Sequence, residues 1–208
     1  MGFRLLGYHE AALAATPRAG IAAALQTAAG LENTAVHMYD SVQMLPSTVS
    51  GSSILALARL LSTARTHHVQ HAAAFNAASV SAGARARSDG DPAMEAAMVS
   101  PGLASINGAA DVLRLAEAVE SALEATYASF CAQVDDARSL VALSAVAPVE
   151  AQHAAILLCL SALIDAGAPE LLSIPPDTMS LPAAMGTVGI AASFMTLAAA
   201  RRLGEERS

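Results

Sequence analysis

Aromatic residues are scarce in this sequence of 208 residues: they make up 3% of it, and tryptophan is absent. Charged residues are also few, at 14%, whereas 54% of the residues are hydrophobic. Sheets are enriched in aromatic and β-branched side chains, but this chain is rich in alanine, which favours helices. The composition therefore excludes intrinsic disorder and predicts an all-α protein with a well-buried core.

Positive charge is scarce as well. Eleven Lys and Arg residues stand against eighteen Asp and Glu residues, which gives a net charge of -7. A surface that binds a phosphate backbone needs a basic patch, and the sequence contains no basic run. We therefore expect no nucleic-acid partner.

The sequence has two cysteines, Cys131 and Cys159. In the helices predicted below they lie roughly 30 Å apart, too far for a disulfide. His9, Glu10 and Pro17 interrupt the apolar run that a secretory signal would need near the start of the sequence. Two free, buried thiols without a recognisable signal predict a cytoplasmic protein.

Two apolar stretches are long enough to span a bilayer, residues 178–200 and residues 140–164. The first consists largely of Ala, Gly, Ser and Thr and contains Pro182, so it has little tendency to insert. The second carries Glu150 and His153 near its centre, which suits a polar-lined helical bundle better than lipid. We therefore expect no membrane span.

Apolar residues recur with the period of a helix in four segments, residues 18–45, 53–81, 111–134 and 139–166. Ser53 and Asp111 are candidates to cap or open their helices, and Pro148 should kink the fourth helix. Residues 82–110 are rich in Gly and Pro and predict a long crossover with a short helix near residues 93–99. The chain then divides into an N-terminal extension (1–17), a four-helix bundle (18–168) and an Ala-rich C-terminal tail (169–208).

Acids and imidazoles interrupt the apolar stripes of these helices. Six of them lie on the stripes: Glu32, His68, His71, Glu120, Glu150 and His153. A lone ionised carboxylate is costly to bury, so such groups are normally paired, protonated or bound to metal. The sequence thus places six candidate metal ligands in the interior of the bundle.

These six residues lie at one level. Glu120 and Glu150 are each 15 residues from the turn near residue 135. Glu32 lies nineteen residues before the loop at residue 51, and His68 and His71 lie seventeen and twenty residues after it. In antiparallel hairpins these levels coincide to within about one helical turn, ~5 Å. The spacing alone therefore predicts a cluster at mid-bundle.

The two hairpins look like diverged copies of each other. Glu32 opens E-N-T-A-V-H-M-Y and Glu120 opens E-S-A-L-E-A-T-Y, so that Glu and Tyr are seven residues apart in both. The second helix carries H-V-Q-H-A-A from His68, and the fourth carries E-A-Q-H-A-A from Glu150. A pseudo-two-fold axis is expected to pass through the cluster.

Glu in the first and third helices, with Glu-x-x-His in the fourth, resembles the ferritin-like superfamily of carboxylate-bridged metal bundles. The segments L-E-N-T-A-V-H-M-Y-D, H-H-V-Q-H-A-A-A-F-N and A-P-V-E-A-Q-H-A-A resemble small actinobacterial ferritin-like proteins related to desiccation-associated proteins. The resemblance covers residues 20–185 and implies an antiparallel four-helix bundle with a non-haem iron or manganese site on Glu32, Glu120, Glu150 and His153. Such relatives are often exported, which a start further upstream would permit.

One departure from the family pattern concerns the second helix, where His68 occupies the usual Glu position and His71 follows three residues later. A carboxylate bridges two metals, whereas a neutral imidazole offers one lone pair and does not. The bridge count falls to one, and the carboxylate charge falls to -3, so a second ion is held less tightly. A nitrogen-richer site also favours Zn, Cu or Fe(II) over Mg or Ca.

Each candidate residue also has a structural interpretation. The three glutamates could be buried acids bonded to the histidines without metal, and His68 could leave its role as a ligand to water. Tyr39 and Tyr127 could hydrogen-bond to the ligands or simply pack in the core. His67 is expected at a helix interface or in solvent.

We expect a ferritin-like metal-binding protein holding Fe or Mn, with dioxygen or peroxide as reactants and a role in oxidative stress. The sequence leaves open whether the protein is catalytic, as an oxidase or a peroxide-consuming protein, and whether it forms a homo-oligomer. The alternative is a non-catalytic helical module with one structural Zn or a metal-free polar core. Membrane association through residues 178–200 is a third hypothesis.

Overall fold

The computed structural model describes residues 18–45 and 52–167, which form helices and no strand. The helices are α1 (Arg18–Gln43), α2 (Ser52–Ser81), α3 (Pro92–Met94), a π-helix π1 (Glu95–Val99), α4 (Ser100–Ala104), α5 (Ala109–Cys131) and α6 (Ala137–Asp165). The chain divides into two units, residues 1–173 and 174–208, and every described residue belongs to the first. The all-α prediction is confirmed, whereas the predicted extension 1–17 and tail 169–208 lie outside the described residues.

The helix boundaries depart from the predicted ones by at most three residues. Helix α2 begins at Ser52, one residue before the predicted start, and the capping role of Ser53 stays a prediction. Gly108 is the N-cap of α5, and Asp111 lies in the first turn of that helix. The negative charge of Asp111 interacts favourably with the helix dipole there. Asp136 caps α6 by accepting a hydrogen bond from the backbone N–H of Ser139 at 2.8 Å.

Four long helices form the bundle. Helix α1 packs along α2, α5 packs along α6, and the two hairpins meet through α1 on α5 and α2 on α6. The largest fully buried apolar side chains come from all four: Leu25, Met38, Tyr39, Leu61, Phe75, Leu113, Leu123, Tyr127, Leu143 and Leu157. Because each such side chain contributes about 1.5–3 kcal/mol on burial, these helix stripes hold the hairpins together.

The crossover contains a longer helical segment than the short helix near residues 93–99 that the sequence predicts. Residues 92–104 are helical throughout as α3, π1 and α4. The Asp91 side chain caps the segment by accepting hydrogen bonds from the N–H groups of Ala93 and Met94, and Pro92 occupies the first turn. Within the segment, Val99 is fully buried. The segment therefore closes the side of the bundle formed by α1 and α5.

Side chains of α1 and α2 fasten the start of the crossover. The Asn76 amide donates to the Arg87 carbonyl at 2.9 Å and accepts from the Arg87 N–H at 2.7 Å. Asn33 also donates to the Arg87 carbonyl, at 3.2 Å, and the Thr34 hydroxyl accepts from the Asp91 N–H at 2.7 Å. These contacts satisfy backbone groups that the irregular crossover cannot pair within itself.

Helix α6 is, among the described residues, the one helix long and apolar enough to cross a membrane by length and composition. This is weak evidence, because Glu150 and His153 near its middle are buried in the bundle. The helix continues through Pro148, and the kink stays a prediction. Cys131 is half-buried and Cys159 is exposed on the outer face, so the prediction of two free thiols is confirmed but that of two buried ones is wrong.

We expect Asn76→Ala to lower the free energy of unfolding by about 1–2 kcal/mol, because it leaves the N–H of Arg87 without its hydrogen-bond partner. Urea denaturation with an unchanged m-value is the measurement. Asn107→Ala is the matched control, since that exposed amide donates to the Ser105 carbonyl two residues away. Equal losses for the two variants would contradict the role of Asn76 as a fastening residue.

Candidate metal centre

The structure brings together all six side chains that the sequence singled out. They are Glu32 from α1, His68 and His71 from α2, Glu120 from α5, and Glu150 and His153 from α6. The three glutamates and His68 are fully buried, and the side chains of His71 and His153 are 13% and 8% exposed. Whether they bind metal stays a prediction, but their convergence is a fact of the fold.

The spacing within each helix explains why these side chains share a face. His68 and His71 on α2, like Glu150 and His153 on α6, are three residues apart, so their side chains lie side by side on one face of the helix. Their potential ligand atoms form two groups, each within 4.8 Å: Glu32, His68, His71 and Glu150 in one, and His68, Glu120, Glu150 and His153 in the other. Glu150 and His68 belong to both groups.

His68 joins the carboxylates of α1 and α5. Its Nδ1 lies 2.6 Å from Glu32 Oε2, and its Nε2 lies 3.1 Å from Glu120 Oε1. Both contacts are hydrogen bonds. A ring that donates through both nitrogens carries both protons and a positive charge. Burial lowers the pKa of His68, but the charges and hydrogen bonds of Glu120 and Glu32 outweigh burial and raise that pKa well above its ordinary value.

The same hydrogen bonds act on the two carboxylates. Burial by itself raises the pKa of Glu32 and of Glu120, but the contacts with His68 and the neighbouring imidazoles outweigh it and lower both pKa values. Glu32 and Glu120 are therefore ionised in the bundle.

Glu150 stands between the other two histidines. His71 Nδ1 lies 2.7 Å from Glu150 Oε1, and His153 Nδ1 lies 3.3 Å from Glu150 Oε2 and from Glu120 Oε1. The pKa of Glu150 is raised above its ordinary value, and burial is the largest cause. For His71 and His153, burial lowers the pKa, but the adjacent carboxylates outweigh it and raise both values to about 9.

These contacts around Glu150 are short but are not aligned as hydrogen bonds. Both oxygens of Glu150, Oε2 of Glu120 and the Nδ1 atoms of His71 and His153 are buried without a hydrogen-bond partner among the described residues. Buried polar atoms are rarely left unpaired, because each costs about 1–3 kcal/mol. A cation between these atoms would satisfy them, and carboxylate with imidazole is a donor set that Zn, Fe and Mn accept. The residues present therefore fit a metal.

Two tyrosines support the carboxylates reciprocally. The Tyr39 hydroxyl of α1 donates to Glu120 Oε1, and the Tyr127 hydroxyl of α5 donates to Glu32 Oε1 at 2.6 Å. Each tyrosine thus reaches the glutamate of the opposite helix rather than the one seven residues before it. Burial, and then the carboxylate charges, raises the pKa of both phenols well above its ordinary value, so both remain donors.

The sequence left open whether His67 lies at a helix interface or in solvent. It lies half-buried on α2, and its Nδ1 lies 3.0 Å from His153 Nε2 on α6. The helical period places it one residue off the apolar stripe, which fits an interface but names no partner there. His37, by contrast, lies 58% exposed against Glu95 of the crossover, outside the cluster.

Comparison with known proteins gives one match. A family model described as a ferritin-like domain matches residues 20–162, which span α1 to nearly the end of α6. No curated protein and no solved structure matches the chain significantly. The match covers more than half of the sequence and the whole cluster, and it does not distinguish among actinobacterial or desiccation-related groups.

We expect the free energy of unfolding of the metal-free protein to fall as the pH rises from 6.5 to about 9. The pKa of His71 and His153 is about 9 in the folded state against an ordinary value of 6.5, so the folded state binds more protons in that range. Their stabilisation is complete below pH 6.5 and is lost as the pH rises through about 9. Urea denaturation with a chelator across this range is the measurement.

The double variant His71→Gln/His153→Gln is the control, because it removes two of the three imidazoles whose pKa is raised in the folded state. Its stability should depend less steeply on pH over the same range. A wild-type stability that stayed level or rose with pH would contradict the assignment of these two imidazoles as protonated partners of the carboxylates.

Proposed function

Because this chain belongs to the ferritin-like domain family, we propose that it binds iron or manganese at the buried cluster and uses the metal in redox chemistry with dioxygen or peroxide. The observation that carries the proposal is the set of unpartnered buried atoms around Glu150. These atoms belong to four carboxylate or imidazole side chains from three helices. None of them is aligned with a hydrogen-bond partner in the described part of the chain.

The geometry suggests which residues would belong to each of two ligand groups. Glu150 offers one oxygen toward His71 and the other toward His153, as a bridging carboxylate would. Glu32 lies on the His71 side, 3.6 Å from His71 Nδ1, and Glu120 lies on the His153 side. Two ligand groups would then share Glu150 in the middle.

His68 has a different role in this proposal. Its two aligned hydrogen bonds to Glu32 and Glu120 support a cationic donor that orients both carboxylates rather than a ligand. It occupies the place of a second bridging carboxylate and replaces a negative charge with a positive one. With less negative charge at the site, we expect one metal ion to bind tightly and a second to bind more weakly.

The bound metal would supply electron exchange with dioxygen or peroxide. The protein's own part is to fix its ligands and to keep bulk water out. Tyr39, Tyr127 and His68 hold the carboxylates of Glu120 and Glu32 by hydrogen bonds, and apolar side chains of all four helices surround them. The partial exposure of His71 makes the α2 side the one where a small reactant would enter.

A second candidate is a structural module without redox chemistry. Three carboxylates are matched by three imidazoles, and the pKa values of His68, His71 and His153 are all raised. The histidines in their protonated form would neutralise the cluster without metal, and one Zn would do the same with fewer protons. This alternative predicts a stable protein with about one Zn or none.

Elemental analysis of the protein purified from its own host tests the proposal, with Glu150→Ala and His71→Ala beside the wild type. We expect the wild type to hold Fe or Mn, with near two ions per chain when metal is in excess and fewer after purification because the second ion is held more weakly. We expect it to consume dioxygen or peroxide. Each variant should lose metal affinity by more than the roughly 10–100-fold that removal of an outer-shell partner costs.

His37→Ala and Glu117→Ala are the matched controls, because both side chains lie outside the ligand groups. Circular dichroism checks that all variants keep their helices, and Glu150→Gln provides a near-isosteric substitute if Glu150→Ala does not fold. Wild-type metal content in both ligand variants would refute the assignment, and about one Zn or no metal in the wild type would favour the structural module.

A further inference from the structure

His67 lies beside the cluster without belonging to either ligand group. Its Nδ1 lies 3.0 Å from His153 Nε2, and the two rings are nearly coplanar, with an interplanar angle of 9° and centroids 5.3 Å apart. A centroid separation of 5.3 Å is close to the largest that a 3.0 Å contact between two ring nitrogens allows, so the rings meet edge to edge, nearly in one plane. Such a contact is a hydrogen bond between the two imidazoles.

The two nitrogens of His153 face different surroundings. Nδ1 faces Glu120 and Glu150 inside the cluster and lacks an aligned hydrogen-bond partner within the described residues, whereas Nε2 faces His67. A neutral imidazole has one donor nitrogen and one acceptor nitrogen. If Nδ1 is to offer its lone pair to a metal, Nε2 must carry the proton, and that proton needs an acceptor.

We propose that His67 is a positioning residue that accepts the Nε2 proton of His153 and so holds the Nδ1 lone pair of His153 toward Glu120 and Glu150. The inference rests on the metal binding proposed above and adds to it a residue outside the ligand set. His67 must then be neutral, with its own proton on Nε2.

The two ligand groups differ in this respect. His71 is the counterpart of His153 on α2. Its Nδ1 atom has no aligned hydrogen-bond partner among the described residues, and its side chain is 13% exposed. The orientation of His71 is therefore fixed by packing and by its contacts with Glu150 and Glu32. Loss of His67 should weaken the group that contains Glu120 and His153 and leave the group of Glu32 and His71 unaffected.

The test compares His67→Leu with His67→Asn in the full-length protein. Leu and Asn have the same branched shape, but Asn carries a carbonyl oxygen near the position of the His67 Nδ1 atom, and Leu carries no acceptor. Titration with Co(II), followed by its visible absorption, measures the affinity. We expect His67→Leu to bind one Co(II) equivalent about 10–100-fold more weakly than the wild type, and His67→Asn to recover most of that loss.

A second measurement reads the proton directly. In the Zn(II)-loaded wild type, the ¹⁵N chemical shifts of His153 should show a proton on Nε2 and a metal on Nδ1. In His67→Leu the same resonances should shift or broaden. His37→Leu, at an exposed histidine outside the cluster, is the control and should leave both the Co(II) affinity and the His153 signals unchanged.

The outcomes separate this inference from the proposed function. A wild type that binds neither Co(II) nor Zn(II) overturns both. A wild type that binds metal while His67→Leu matches it, or while His67→Asn is as weak as His67→Leu, overturns the role of His67 alone. If His67→Leu does not fold, a proton on His153 Nδ1 in the metal-loaded wild type overturns the role by itself.

Discussion

Three carboxylates buried in an apolar bundle constrain the rest of this structure. An ionised carboxylate in such an interior is tolerated only when other groups compensate its charge. Here Glu32 and Glu120 accept hydrogen bonds from His68 and from tyrosines, while Glu150 lies between two imidazoles. Because the compensating groups come from other helices, the four helices are fixed at the level of the cluster. Polar compensation and apolar packing therefore select the same arrangement of helices.

The pseudo-symmetry of the two hairpins explains both the order and the irregularity of the cluster. Tyr39 and Tyr127 serve the glutamates of opposite helices in the same way, as related halves would. The symmetry breaks at His68, which takes the place that Glu150 has in the other hairpin. At this position one hairpin has a carboxylate and the other has an imidazole that donates hydrogen bonds to Glu32 and Glu120. The two hairpins therefore differ in charge here.

Family membership and site chemistry answer different questions about this protein. The ferritin-like match identifies the fold and makes a metal site expected, but related folds support many activities. The unpartnered atoms around Glu150 are an observation on this chain itself, independent of the family match, and they are compatible with a metal site. The partial exposure of His71 and the contact of His67 with His153 add that these three histidines lie nearer to solvent than the fully buried His68.

The sequence by itself determined the four helices, their order and the level at which the polar residues meet. Helical period, i and i+3 spacing and distance from a turn are local quantities, so Glu120 and Glu150 could be placed opposite each other without coordinates. Exact helix ends were less predictable, because several neighbouring residues can begin or end a helix at similar cost. Helix α5, for example, begins at Ala109 rather than at Asp111.

Only the tertiary structure decided which atoms meet. The sequence put Tyr39 near Glu32, but packing directs its hydroxyl to Glu120. It likewise gave His67 no partner, although His67 reaches His153 across the interface of α2 and α6. Hydrogen bonds depend on the rotation and separation of helices to within a fraction of an ångström, and residue spacing along one helix carries no such information.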